Sequence, residues 1–160
     1  MLAKILGGVS LLSASLFCYV GSIKKDKHKI EQIDAYIKLV EYIKDNVECY
    51  LLPIDRILDS CDKDIIKRCI GSNEYISTRS TSELYEVANI VLPRNISAEI
   101  ERFCTRFGLS YKEEQVRMCS DLLRRLNDSK SEITNEATKS RKIKFALTIT
   151  VPLFFILLFI

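Results

Sequence analysis

The chain has 160 residues, of which 48% are hydrophobic and 28% charged, and its formal net charge is +3. A length of this order suits one domain, and the near balance of acid and base excludes a dedicated nucleic-acid binder, which would carry a clear basic excess. So many charges in so apolar a chain require segregation: Lys4 is the only charged side chain in residues 1–23, and no charge follows Lys144.

The first apolar stretch, Ile5 to Ile23, is close to the roughly 20 residues that cross a bilayer as a helix. A cleaved signal peptide is the alternative. The small residues Ser13, Ala14 and Ser15 lie inside the apolar run rather than after it, which favours a retained anchor over 1–23. Basic residues Lys24, Lys25 and Lys27 follow directly.

Apolar residues at Ile30, Ile33, Ile37, Val40, Ile43 and Val47 recur every three or four positions. They predict one long helix from about 26 to 50. Pro53 ends it and opens a short helix over "PIDRILDSC". A second short helix, "KDIIKRCI", stops at Gly71, a residue suited to a left-handed cap. Residues 72–82 read as a polar linker. Ser80 and Glu83 have capping-box spacing and open a helix over "SELYEVANIVL", which Pro93 closes. Ser97 is expected to cap "AEIERFCTRF", where Ile100, Phe103, Cys104 and Phe107 share a face.

Gly108 is expected to end that helix, and Ser110 with Glu113 forms a second capping-box spacing. The last helix carries Val116, Cys119, Leu122, Leu123 and Leu126, then turns polar. Arg124 and Arg125 read as a solvated face. A second basic cluster, with Lys139, Arg141, Lys142 and Lys144, leads into the apolar end at 145–160. That end is shorter than a usual span, yet its flanking lysines can snorkel. The resulting expectation is an all-α protein. An antiparallel bundle of about six helices over 24–144 is flanked by transmembrane helices at 1–23 and 145–160. Both basic clusters sit on the inner side of the anchors, so the bundle is expected in the cytoplasm. Contact of these clusters with membrane lipids is a further expectation.

Cysteines occur at 18, 49, 61, 69, 104 and 119, with no C-x-x-C pair, and His28 is the only histidine. A zinc site wants closely paired ligands, so these cysteines read as small buried apolar residues. No cofactor or metal is expected. A thiol enzyme built on Cys61 and Cys69, eight residues apart and on one face of an unbroken helix, is an alternative.

The stretch "FGLSYKEEQ", residues 107–115, joins a helix end at Gly108 to Leu109, Ser110, an acidic turn at Glu113 and then Gln115. It resembles the corresponding turn of the stage III sporulation protein AB family. Phe107 stands where that family usually has Leu, and Tyr111 where an acidic residue is common. "ECYLLPIDRIL" (48–58), with Pro53, resembles the family's segment after its first long helix, and the anchors at both ends complete the order of features. The resemblance implies a bundle similar to the F domain of type II secretion systems. It implies a place in the mother-cell membrane around the forespore, within a channel complex required for endospore formation. Implied partners are the other channel subunits and a cytoplasmic secretion-type ATPase. The expected role is a non-catalytic platform that couples the two. A membrane-anchored scaffold or lipid binder unrelated to sporulation is the competing expectation.

Overall fold

The computed structural model describes the backbone of residues 2–50, 52–72 and 77–159, and the side chains of 13–50, 52–72, 77–151, 153 and 154. Among the described residues six helices follow in order: α1 (Leu2–Tyr50), α2 (Ile54–Ser60), α3 (Lys63–Ile70), α4 (Thr81–Glu86), α5 (Arg94–Arg106) and α6 (Lys112–Phe159). Among the described residues there is no strand. The all-α expectation and the number of helices are as read from the sequence. The chain divides into two compact units: Met1–His28 with Glu132–Ile160, and Lys29–Ser131.

The central unit, Lys29–Ser131, holds the core. Ile33, Tyr36, Ile37, Val40, Ile43 and Val47 of α1 are buried, as the helical spacing predicts, while Ile30 is only half-buried. Cys119, Leu122 and Leu126 of α6 are buried, and the stripe continues to Ser129. The 3-4-3 spacing of these four keeps one face of α6 turned inward. Lys130 Nζ lies 2.6 Å from Asp34 Oδ1, which pins α6 beside α1. Ile57, Leu58, Ile66, Cys69 and Ile70 bring α2 and α3 onto the same core. Tyr42 Oη donates to the Ser60 carbonyl at 3.2 Å, fixing the end of α2 against α1. Pro53 is the N-cap residue of α2 rather than its first helical residue. The side chain of Asp62, a cap the sequence reading passes over, accepts from Asp64 N–H at 2.9 Å at the start of α3.

Four local expectations need correction. First, α4 stops at Glu86 instead of running to Pro93. Beyond it, Asn89 N–H donates to the Ile70 carbonyl at 2.7 Å. Val91 N–H donates to Gln32 Oε1 at 2.9 Å. These long-range partners replace the i→i−4 bonds a longer helix would make. Second, Pro93 opens α5 instead of closing α4. Ser97 N–H already donates to the Pro93 carbonyl, so Ser97 sits inside the first turn and does not cap. Third, α6 begins at Lys112. Gln115 N–H donates to the Tyr111 carbonyl, and the Gln115 side-chain amide donates to the Ser110 carbonyl at 2.6 Å. Ser110 thus contributes its backbone, not a hydroxyl cap paired with Glu113. Fourth, Gly108 lies in a turn beyond the helix. Phe107 (φ −65°, ψ 137°) is the extended C-cap of α5, Gly108 has φ +89°, and Leu109 N–H donates to the Arg106 carbonyl at 3.3 Å. This is the signature of a type II turn, whose third residue requires positive φ.

Two expectations hold at atomic detail. Gly71 is the left-handed C-cap of α3 (φ 71°, ψ 26°). Ser80 Oγ accepts from Glu83 N–H at 3.1 Å as the cap of α4. The Glu83 carboxylate, however, accepts from Arg79 N–H at 2.7 Å, one residue before the position a reciprocal capping box uses. Thr81 and Ser82 hydroxyls both donate to the Cys104 carbonyl, at 2.7 and 3.0 Å, and tie the start of α4 to the last turn of α5.

In the outer unit, residues of the two chain ends pair antiparallel. Ser15 Oγ donates to the Thr148 carbonyl at 3.4 Å, and the rings of Tyr19 and Phe145 lie 5.9 Å apart. Lys144 Nζ donates to Ser22 Oγ and lies 4.0 Å from Asp26. Large apolar side chains here are exposed, Phe17 at 82% and Phe154 at 61% among them. Among the described residues no helix is long and apolar enough to cross a membrane. Much of the two expected anchors, namely the side chains of 1–12, 152 and 155–160, lies outside the described residues.

Candidate functional site

The corner that resembles the family turn is built from the end of α5, the Gly108 turn and the start of α6. Its apolar content is divided. Phe107 turns inward, 6% exposed, with its ring centroid 4.9 Å from that of Phe103. Leu109 and Tyr111 turn outward, 83% and 87% exposed. A turn that leaves two such side chains in water gains nothing for folding from them. Ser110 and Gln115 hold the turn onto α6, and Glu113 is exposed in the first turn of that helix, where its charge suits the positive helix end.

Beside this corner, α5 and α6 enclose a cleft of about 360 Å³. Its lining includes buried Phe103 and Leu122 and half-buried Met118, which form the floor, and Leu109, whose 83% exposure places it at the rim. The cleft walls carry Arg102, Arg106, Arg117 and Arg125 against Glu99, Glu114 and Asp121. Glu99 accepts from both Arg125 at 3.0 Å and Arg102 at 3.5 Å, so one carboxylate serves a guanidinium from each helix. Arg125 is therefore more than a solvated side chain, while Arg124 reaches Asp121 only at 4.0 Å. Arg106 and Arg117 have no ion-pair partner among the described residues.

The other predicted residues do not converge on this corner. Pro53, Ser80 and Glu83 serve the starts of α2 and α4. Lys24, Lys25, Lys27, Lys139, Arg141 and Lys142 are exposed, and Lys144 is half-buried. Of these, Lys144 contacts Ser22 and Asp26 within the outer unit.

Four of the six thiols are buried. Cys61 is the C-cap residue of α2, and Cys69 lies in α3, so the single unbroken helix that would align them is absent. Burial raises the Cys61 thiol to about 11, with Asp62 adding to the shift. Burial also raises Cys104 to about 12 and Cys119 to about 12, and pushes Cys69 well above its ordinary value. A nucleophilic thiol needs the opposite shift. Cys18 and Cys49 are exposed, and all six are free. Among the described residues no group of His, Cys, Asp or Glu is arranged to hold a metal.

One functional residue of the fold escapes sequence reading. Gln32 is 1% exposed on the inner face of α1. Its Nε2 donates to the Cys69 carbonyl at 3.1 Å and the Asn89 carbonyl at 3.0 Å, while its Oε1 accepts from Val91 N–H. A glutamine between Glu31 and Ile33 gives no local sign of this. Only its position on the apolar stripe, one residue before Ile33, hints that it is buried.

Compared with known proteins, the chain matches no family model, no curated protein and no solved structure.

Proposed function

We propose that the chain is a non-catalytic membrane platform, a component of the mother cell–forespore channel that couples a cytoplasmic secretion-type ATPase to the membrane assembly. The family-like turn at Gly108–Gln115 and the order of features along the chain support the sporulation part of this reading. The observation that carries the membrane part is the exposure of Phe145, Leu147, Ile149, Val151, Leu153 and Phe154 in a stretch without charge. An apolar surface of this kind marks a membrane or protein contact. The two helical ends act as anchors, the basic clusters beside them hold the central unit on the cytoplasmic side, and that unit is an F-domain-like bundle. The raised thiols speak against the enzyme alternative.

The test is affinity capture of the detergent-solubilised full chain from sporulating cells. Recovery of other channel subunits together with a secretion-type ATPase is the expected outcome. Capture of lipid alone, with no membrane subunit, would replace the platform with a lipid-binding scaffold.

A further inference from the structure

We propose that the cleft between α5 and α6 is a docking groove for an acidic amphipathic helix of a partner protein. The inference deepens the platform reading and rests on it.

The shape argues for a helix. The α5 wall is made by Glu99, Arg102, Phe103 and Arg106, and the α6 wall runs from Glu114 to Arg125 at the same three- and four-residue steps. Each wall is thus one face of one helix, and the α6 wall is about 16 Å long at 1.5 Å per residue. The α5 wall is shorter, about two turns, and a furrow with two helical walls over that length accepts the ridge of a third helix. Leu109 at the rim and Met118 on the floor give that ridge an apolar contact.

The charge argues for acidity. Glu99 is already engaged by two arginines. Arg106 from one wall and Arg117 from the other remain unpaired among the described residues, and the cleft's four guanidiniums outnumber its three carboxylates, Glu99, Glu114 and Asp121. An incoming helix with carboxylates flanking its apolar ridge meets both guanidiniums, which suit planar bidentate pairing. A basic helix meets repulsion from the same two groups.

The full chain, reconstituted in nanodiscs with empty discs as the blank, is titrated with two fluorescent peptides. They share a leucine face and differ only in flanking Glu or Lys. The Glu peptide is expected to bind, more weakly as salt is raised. Arg106→Glu with Arg117→Glu is expected to weaken it by about tenfold or more and to favour the Lys peptide. Both arginines are exposed and unpaired, so the double variant should keep the helical circular dichroism of the parent. Equal binding of the two peptides, no binding of the Glu peptide, or indifference to the charge reversal would overturn the groove. In cells, a photo-crosslinking residue at Leu109 should be joined to an acidic helical segment of a channel subunit or the ATPase. Crosslinking to lipid, to a second copy or to a basic segment overturns it. If the charge-reversed chain captures the same partners as the parent, the groove falls and the platform stands. If the parent captures none, the platform falls and the groove with it.

Discussion

Gly71 leaves the space that Gln32 uses. A Cβ at Gly71 would lie 2.7 Å from the Asn89 carbonyl oxygen and 3.3 Å from Gln32 Nε2, the two atoms that hydrogen-bond each other at 3.0 Å. The left-handed cap of α3 and the buried amide of α1 therefore form one arrangement. Gln32→Leu keeps the approximate volume and removes every partner of Cys69 O, Asn89 O and Val91 N–H that the side chain supplies. A buried group left unsatisfied costs about 1–3 kcal/mol, so a loss of about 3 kcal/mol or more is expected in urea unfolding followed by circular dichroism. A loss below about 1 kcal/mol would show that these backbone groups find other partners.

The two positive-φ glycines should respond differently to alanine. At Gly108 an added Cβ meets nothing within 4 Å, so Gly108→Ala carries only the backbone penalty, about 1–2 kcal/mol. Gly71→Ala carries that penalty and the clash with Asn89. Gly108→Val adds β-branching at φ +89° and should cost more than Gly108→Ala. Thermal midpoints of the three variants check the order, and equal losses at 71 and 108 would deny the contact.

Thiol labelling should report burial with little ambiguity. Of the five cysteines beyond Cys18, only Cys49 is exposed. With Cys18 replaced by Ser, a membrane-impermeant maleimide should modify one site in the folded protein and the remaining four only after denaturation. Under the cytoplasmic topology proposed above, that one site reacts only after lysis. Rapid labelling of Cys69 or Cys104 in the native state would contradict the packing.

Alkaline stability follows from the same burial. The folded thiols of Cys61, Cys104 and Cys119 lie at about 11, 12 and 12, above the unfolded value. Cys69 and Tyr36 are raised as well, chiefly by burial. In the window above the unfolded thiol value of about 9, the folded state holds protons that the unfolded state has released. Stability is then full below about pH 8 and declines as pH rises further. Urea midpoints from about pH 7 to about pH 10 should show this fall, and Cys104→Ala should flatten it.

Tyr36 offers a gain. Its hydroxyl is buried with no hydrogen-bond partner among the described residues, as is that of Thr78. Tyr36→Phe removes a desolvated polar atom without changing the ring, so stability should be unchanged or higher by about 1 kcal/mol. A clear loss would reveal a partner for the hydroxyl.

Signals confined to a few neighbouring residues were legible in the sequence. Gly71 after "KDIIKRCI", Ser80 three residues before Glu83, and the inward face of Phe103, Cys104 and Phe107 all need only local geometry. The end of α4 was not legible, because Val87, Ile90 and Val91 continue an apolar pattern. Beyond Glu86 the backbone is claimed instead by Ile70 and by Gln32, the latter nearly sixty positions upstream. At Ser97 and Ser110 the hydroxyls had capping spacing, but Pro93 and Tyr111 already occupied the helix starts. The groove was hidden for the same reason as Gln32. Nothing within α5 says that Glu99 will be claimed by Arg125 of the next helix, or that Arg106 and Arg117 will be left over.

The Asp34–Lys130 contact has a bearing on how the chain comes off the ribosome. It joins residues near the two ends of the central unit. The α6 part of the central unit is thus the last of that unit to be synthesised, and contacts of such long sequence separation form slowly. Until α6 emerges, the core of the unit lacks Cys119, Leu122 and Leu126. Such an intermediate is prone to aggregate. A chain stalled after α5 should therefore stay protease-sensitive and bound to chaperones.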